Sequence, residues 1–319
     1  MVIYKGLSMG LIEVYAAETA EELIELVSPQ HPQWQPEPSQ WIFRGHADSN
    51  WPLVPNALRG TTVFGYTADA TKGLRPTHAA QVEAEFDMLE QFLVALDQQG
   101  HPLPGNLHSI WFDWSRVQAD VRRAAQEGSN PWPPSELLGL LALAQHYGVP
   151  TRLLDWSRSA RIATYFAADT AARWVHDGMR GQVPDDRLSI WAFKESATRG
   201  LWRPRQDSVW MIGTPSEQNS NLRAQQGLFT VHMQHITAPY DAPTVTPFDE
   251  IVADALDNPP TDWQPPAPPA DSILRELTVP INQAPRLLRL LYYEGISRAS
   301  LFPSLEGVVN GLVERRYWR

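Results

Sequence analysis

LALAQHYGVPTRLLDWSRSARIATYFA, residues 141–167, passes through three backbone states in quick succession. The run SELLGLLALAQHYG, 135–148, is apolar nearly all round, which predicts a buried helix. Ser135 starts it, Gly148 closes it, and Pro150 forbids continuation. TRLLDW, 151–156, is then a short extended piece. Ser157 or Ser159 caps a further helix over 159–175, with Ile162, Ala163 and Phe166 on one stripe. Leu153 and Leu154 belong to a core. Arg152 and Asp155 around them either close a buried ion network or wall a ligand site.

Working outward, ETAEELIELVSP predicts a helix capped by Thr19, with Glu22 as its capping-box partner and Pro29 as its end. QWIFRGH, 40–46, reads as a buried strand. Val82, Phe86, Leu89, Phe92, Leu93 and Leu96 recur at three and four, which predicts a helix from about Thr77 to Gln99, stopped by Gly100. A helix over 115–127 follows, then strands at 188–195 and 227–233. The proline-rich 257–270 is a surface loop or spacer. ILRELTVP, 273–280, returns as a strand, and APRLLRLLYYEG and SLEGVVNGLVERR close the chain as helices. The expected fold is α+β: a helical N-terminal segment, 1–37, before a single domain, 38–319, with a central mixed or antiparallel sheet flanked by helices.

Composition bounds the function. The 319 residues are 43% hydrophobic with 13 tryptophans, so a sizeable core is available. There are no cysteines, hence no disulfide, thiolate metal site or cysteine nucleophile. Neither a membrane span nor a secretory leader is legible, and a cytoplasmic protein is expected. The formal charge of −10 argues against non-specific DNA binding. RGLWRPR, 199–205, is a local exception, either a solvated loop or a phosphate contact. Nothing has the spacing of a zinc site, a phosphate-binding glycine loop or a serine-hydrolase elbow.

Arg44 lies inside an apolar strand, where desolvating an unpaired guanidinium is costly. It therefore either pairs with a carboxylate or faces a cleft that binds an anion, and Gly45 lets a ligand or another backbone come close. His146 and Tyr147 end the buried helix, where the helix C-terminus favours a protonated histidine; such a histidine is a hydrogen-bonded core residue or a catalyst. The N–H groups of the helix after Ser157 and Ser159 suit a phosphate.

WIFRGHADSNWPLVPNALR (41–59) and LALAQHYGVPTRLLDWSRSARIATYFA, with NLRAQQGLFTVHM (221–233) and GISRASLFPSLEGVVNGL (295–312), resemble the FRG domain family, named for Phe43–Arg44–Gly45. These blocks run from about residue 38 to the C-terminus, while 60–134 and the proline-rich insert match little. On this resemblance 38–319 is an FRG domain.

A weaker resemblance is to the ADP-ribosyltransferase superfamily. There an arginine on an early strand contacts NAD, a serine–x–serine segment leads into a helix and braces the arginine, and a later strand carries a catalytic glutamate. Phe43–Arg44–Gly45, Ser157–Arg158–Ser159 and RAQQGLFTVH stand in that order here. The resemblance implies NAD as substrate and no metal. Arg44 and Arg152 would hold its pyrophosphate beside Gly45 and the serine pair, His46 would meet the ribose, and Tyr147 or Trp156 would stack on a flat ring. It also implies a macromolecular acceptor and, by analogy with toxins and immunity effectors, a role in microbial conflict or phage defence. The departure lies at Gln225 and Gln226, where a glutamate is expected. Glutamine orients a hydroxyl but carries no charge, so Asp155 or Glu217 would supply the carboxylate. Otherwise the cleft is a non-catalytic nucleotide- or nucleic-acid-binding sensor, or Arg44, Arg152 and Asp155 form one buried structural network.

Overall fold

The structure, a computed structural model, describes residues 2–4, 12–59, 77–101, 112–127, 131–180, 186–196, 208–213, 220–235, 238–242, 245–257 and 272–318. Glu217, the 199–205 arginine segment and nearly all of the proline-rich stretch lie outside them.

The chain begins with two short strands, Val2–Tyr4 (β1) and Ile12–Ala16 (β2), paired antiparallel. The expected helical segment 1–37 is thus corrected. Ile12 and Val14 are buried while Glu13 and Tyr15 are half-buried, a period of two that marks a strand. Ala20–Leu26 (α1) follows with its Thr19–Glu22 capping box complete. After Trp41–His46 (β3), Thr77 caps His78–Gln98 (α2), which stops before Gly100 in the left-handed region at φ +68°.

Trp114–Glu127 (α3) and Pro131–Trp132 (β4) lead to a 3₁₀ turn, Ser135–Leu137, and then Leu138–His146 (α4). Ser135 does not cap this helix: its hydroxyl turns to Glu136 at 3.4 Å, and Leu138 opens the α-helix without a side-chain cap. TRLLDW becomes the strand Leu153–Ser157 (β5), and Ser159 caps Ala160–His176 (α5) by accepting from the Ile162 N–H.

Arg187–Lys194 (β6), Ser208–Ile212 (β7), the single turn Ser220–Ala224 (α6), Gly227–His235 (β8) and Phe248–Asp257 (α7) come next. Leu274–Pro280 (β9), Ala284–Tyr293 (α8), Arg298–Leu301 (α9) and Leu305–Glu314 (α10) complete the fold.

The strands form one mixed sheet in the order β1-β2-β9-β6-β3-β5-β8-β4, with β7 on β8. The β2–β9 pair is parallel and the other described pairs are antiparallel, so the α+β expectation holds. β9 returns to the middle of the sheet, between β2 and β6. No helix among the described residues is long and apolar enough to cross a membrane.

Two helical groups cover one face of the sheet. α1, α5 and α8 pack on β9, β6 and β3 through residues such as Leu23, Ala167, Leu287, Phe43 and Ile190. α2, α3 and α4 pack on β5 and β8 through Phe86, Val117, Leu140, Leu153 and Val231. The opposite face buries Ile42, Leu154, Trp156 and Phe193 beneath α7. Paired residues share a face, so Phe43 opposite Ser157 and Asp155 opposite Phe229 put these side chains on the first face. There the two helical groups part over β3, β5 and β8.

Candidate functional site

The parting of the helices leaves a cleft of about 310 Å³. Its floor is Phe43, Arg44, Asp155, Ser157 and Phe229. The end of α4 supplies Gln145 and His146, α5 supplies Phe166, α6 supplies Asn221, and Phe302 closes the far side.

The gap that Arg44 fills follows from strand register. β3 pairs with β6 along its whole length but with β5 only at Phe43–Ser157. Arg44 starts opposite Trp191, on the face away from the cleft, yet it lines the cleft and its guanidinium reaches Asp155 of β5. Nη1 donates to the Asp155 backbone carbonyl at 2.8 Å and lies 3.5 Å from Asp155 Oδ2. Nε donates to His46 Nε2 at 3.0 Å. Nη2 makes no hydrogen bond or ion pair with another described residue. Burial pushes the Arg44 pKa down from its ordinary value, with Asp155 opposing.

Accepting from Arg44 requires a neutral imidazole with the proton on Nδ1. Burial first, then the Arg44 and Arg59 cations, lowers the His46 pKa to about 2. His46 is thus a neutral residue that orients Arg44 from behind. It does not line the cleft, so direct contact with a ribose is not what its place provides.

Asp155 is the single exposed position in β5. Its Oδ2 accepts from Gln145 Nε2 at 2.8 Å, and Gln145 Oε1 accepts from Thr151 Oγ at 2.7 Å. This relay orients the carboxylate while leaving it open to solvent. Asp155 is the one carboxylate among the described lining residues. His146 beside it has its pKa lowered by burial, against the pull of Asp155.

The other expected residues divide sharply. Ser157 lines the cleft, but its hydroxyl donates to the Gln225 carbonyl at 2.8 Å and accepts from the Ser159 N–H at 3.1 Å. The serine pair therefore braces the turn before β8 and caps α5 instead of holding Arg44. Gln225 also lines the cleft, and its side-chain amide donates to the Leu301 carbonyl at 3.2 Å. Trp156 is core: its indole N–H donates to Thr230 Oγ at 2.8 Å, and its ring packs against Phe193 and Phe248. Tyr147 is exposed beside Phe92, outside the cleft. Gly45 serves helix packing, because a Cβ there would collide with the Ala163 carbonyl and stand 2.9 Å from Ala167 N.

Arg152 belongs elsewhere. It is 4% exposed, and Nε donates to Glu85 of α2 at 2.9 and 2.7 Å, while Nη1 donates to Gln234 at 2.7 Å. Glu85 also accepts from Gln81 at 2.7 Å and the Trp132 indole at 2.8 Å. This network is complete without Arg44 or Asp155, so the three charges are not one buried cluster. Sequence reasoning missed Gln145, Asn221, Phe166 and Phe302 as lining residues. Their signal was position: each lies inside one of the blocks that carried the family resemblance.

Residues 39–174 match the model of the FRG domain family, so the chain carries an FRG domain. No curated protein and no solved structure matches the chain. The matched stretch holds Arg44, Gln145, Asp155 and Ser157, whereas Asn221, Gln225 and Phe302 reach the cleft from beyond it.

Proposed function

We propose that this FRG-domain chain binds a nucleotide in the Arg44 cleft and breaks the N-glycosidic bond of NAD there, passing ADP-ribose to water or to a macromolecular acceptor. The observation that supports it is Arg44 and the exposed Asp155 carboxylate lining one cavity together with Phe43, Phe166 and Phe302. A buried arginine held by a neutral histidine is pre-organised for phosphate oxygens. The aromatic walls suit a flat ring. At about 310 Å³ the cavity stands at the small end of ligand sites, so it seats the reacting end of the dinucleotide.

In the step itself the ribose C1′–N bond breaks, and its electron pair leaves on nicotinamide. Asp155 balances the oxocarbenium charge that develops. The acceptor oxygen or nitrogen then bonds to C1′ and gives its proton to solvent. Incubation with NAD tests this directly: nicotinamide should be released by the wild type and not by Arg44→Ala. Equal release by both, or none from wild type with candidate acceptors, overturns it.

One observation favours a second reading. Gln225 holds α9 through the Leu301 carbonyl, so it is occupied structurally, and no glutamate stands among the described lining residues of the cleft. A sensor that binds a nucleotide without turnover fits this equally well. It would show nucleotide-dependent thermal stabilisation with no product.

A further inference from the structure

The helix α10 is inside out. A surface helix normally turns its apolar stripe to the core. Here the inward side is Gly307, Gly311 and Glu314. A Cβ at Gly307 would collide with the Phe302 carbonyl, and one at Gly311 would sit 3.4 Å from the Ala299 Cβ. Glu314 is buried and accepts from the Arg298 N–H at 3.2 Å. The outward side is Leu305, Val308, Val309, Leu312 and Val313, between 38% and 88% exposed. These recur at i, i+3, i+4, i+7 and i+8, a full helical stripe with nothing over it among the described residues.

We infer that this stripe is a homodimer surface, occupied by α10 of a second copy packed antiparallel about a two-fold axis. The order of residues commits the surface to that occupant. About an axis between Asn310 and Gly311, Val308 falls opposite Val313 of the second copy and Val309 opposite its Leu312, so the stripe is complementary to itself, as an isologous contact requires. The ends are charged in opposite senses. Glu306 is exposed at the start of the helix, and Arg315 and Arg316 follow its end, with Arg316 exposed. Antiparallel packing brings Glu306 of each copy to the arginine pair of the other, twice per dimer. Parallel packing would set like charges together.

Two ten-residue helices, each about 15 Å long, cover less than the roughly 800 Å² per partner of a standard interface. The dimer is therefore weak and concentration-dependent. The arrangement is independent of whether the cleft turns over NAD.

Sedimentation velocity over a concentration series tests it. The wild type should show a reversible monomer–dimer equilibrium. Leu312→Glu, at an exposed position, should remain monomeric with an unchanged circular dichroism spectrum. Glu306→Arg should raise Kd about tenfold, since both symmetric pairs turn repulsive, and Glu306→Arg with Arg316→Glu should restore it. A wild type that stays monomeric at concentrations on the order of 100 μM overturns the proposal. So does association that survives Leu312→Glu, or a charge swap that fails to compensate.

Discussion

Arg44 meets Asp155 chiefly through the main chain: its Nη1 donates to the Asp155 carbonyl oxygen at 2.8 Å, nearer than the 3.5 Å to the carboxylate. The arginine is thus anchored whatever side chain position 155 carries. The carboxylate, tied to Gln145, keeps its exposed side for a ligand.

Asp155→Asn separates binding from chemistry on this geometry. An ion pair with one partner half-exposed contributes little, so the stability should change by less than about 1 kcal/mol in urea unfolding. A nucleotide-induced rise in Tm should persist, since Arg44 stays in place, while nicotinamide release should vanish. Loss of the thermal shift together with the activity would show Asp155 to be a binding residue only.

The two arginines should respond to different degrees. Arg152→Ala strands Glu85 in the core with its charge uncompensated and should cost about 3–5 kcal/mol. Arg44→Ala removes neutral-acceptor bonds at the cleft edge and should cost about 1–3 kcal/mol. Chemical denaturation of both variants checks the order; a larger loss for Arg44→Ala would place the structural network at the wrong arginine.

Gly45→Ala should destabilise by several kcal/mol, about what overpacking a core costs at its upper end. The added methyl meets the backbone of α5 at Ala163 and Ala167, which cannot move aside as a side chain would. The expected result is a large fall in Tm even in the absence of any nucleotide.

His46 sets a pH dependence of stability. Its pKa is lowered to about 2 in the folded protein from the usual 6.5, because burial and the Arg44 and Arg59 cations disfavour its charged form. The unfolded chain therefore takes up a proton below pH 6.5 that the folded chain refuses, and stability falls as pH falls. Between pH 6.5 and 5 this contributes a loss of about 2 kcal/mol. Glu314 acts in the other sense: burial raises its pKa, so its contribution is present at low pH and lost as pH rises through the folded value. Comparing wild type with His46→Gln isolates the histidine; the variant's denaturation midpoint should lose that part of its slope between pH 6.5 and 5.

The sequence by itself determined what depends on short range. The Thr19–Glu22 box, the helix from about Thr77 with its Gly100 stop, a serine cap at 157 or 159 and the buried β3 and β5 all follow from residues within a turn or a pleat of one another. It also marked Arg44 and Asp155, because charge inside an apolar strand demands a partner or a ligand. Only the tertiary structure decided which demand each charge meets. Arg44 and Arg152 are the same side chain in similar apolar settings, and what separates them is Glu85, 67 residues from Arg152 along the chain and beside it in space. His46 stands behind Arg44 and off the cleft lining, while Gly45 and Trp156 border the cleft and are also packed, for the same reason: strand parity and the crossing of α5 set their neighbours, and neither is written in local spacing. The exposed stripe of α10 is the converse. Its helical periodicity is plain in the sequence, but which side faces the core is fixed by the two glycines that let the helix approach Phe302 and α9.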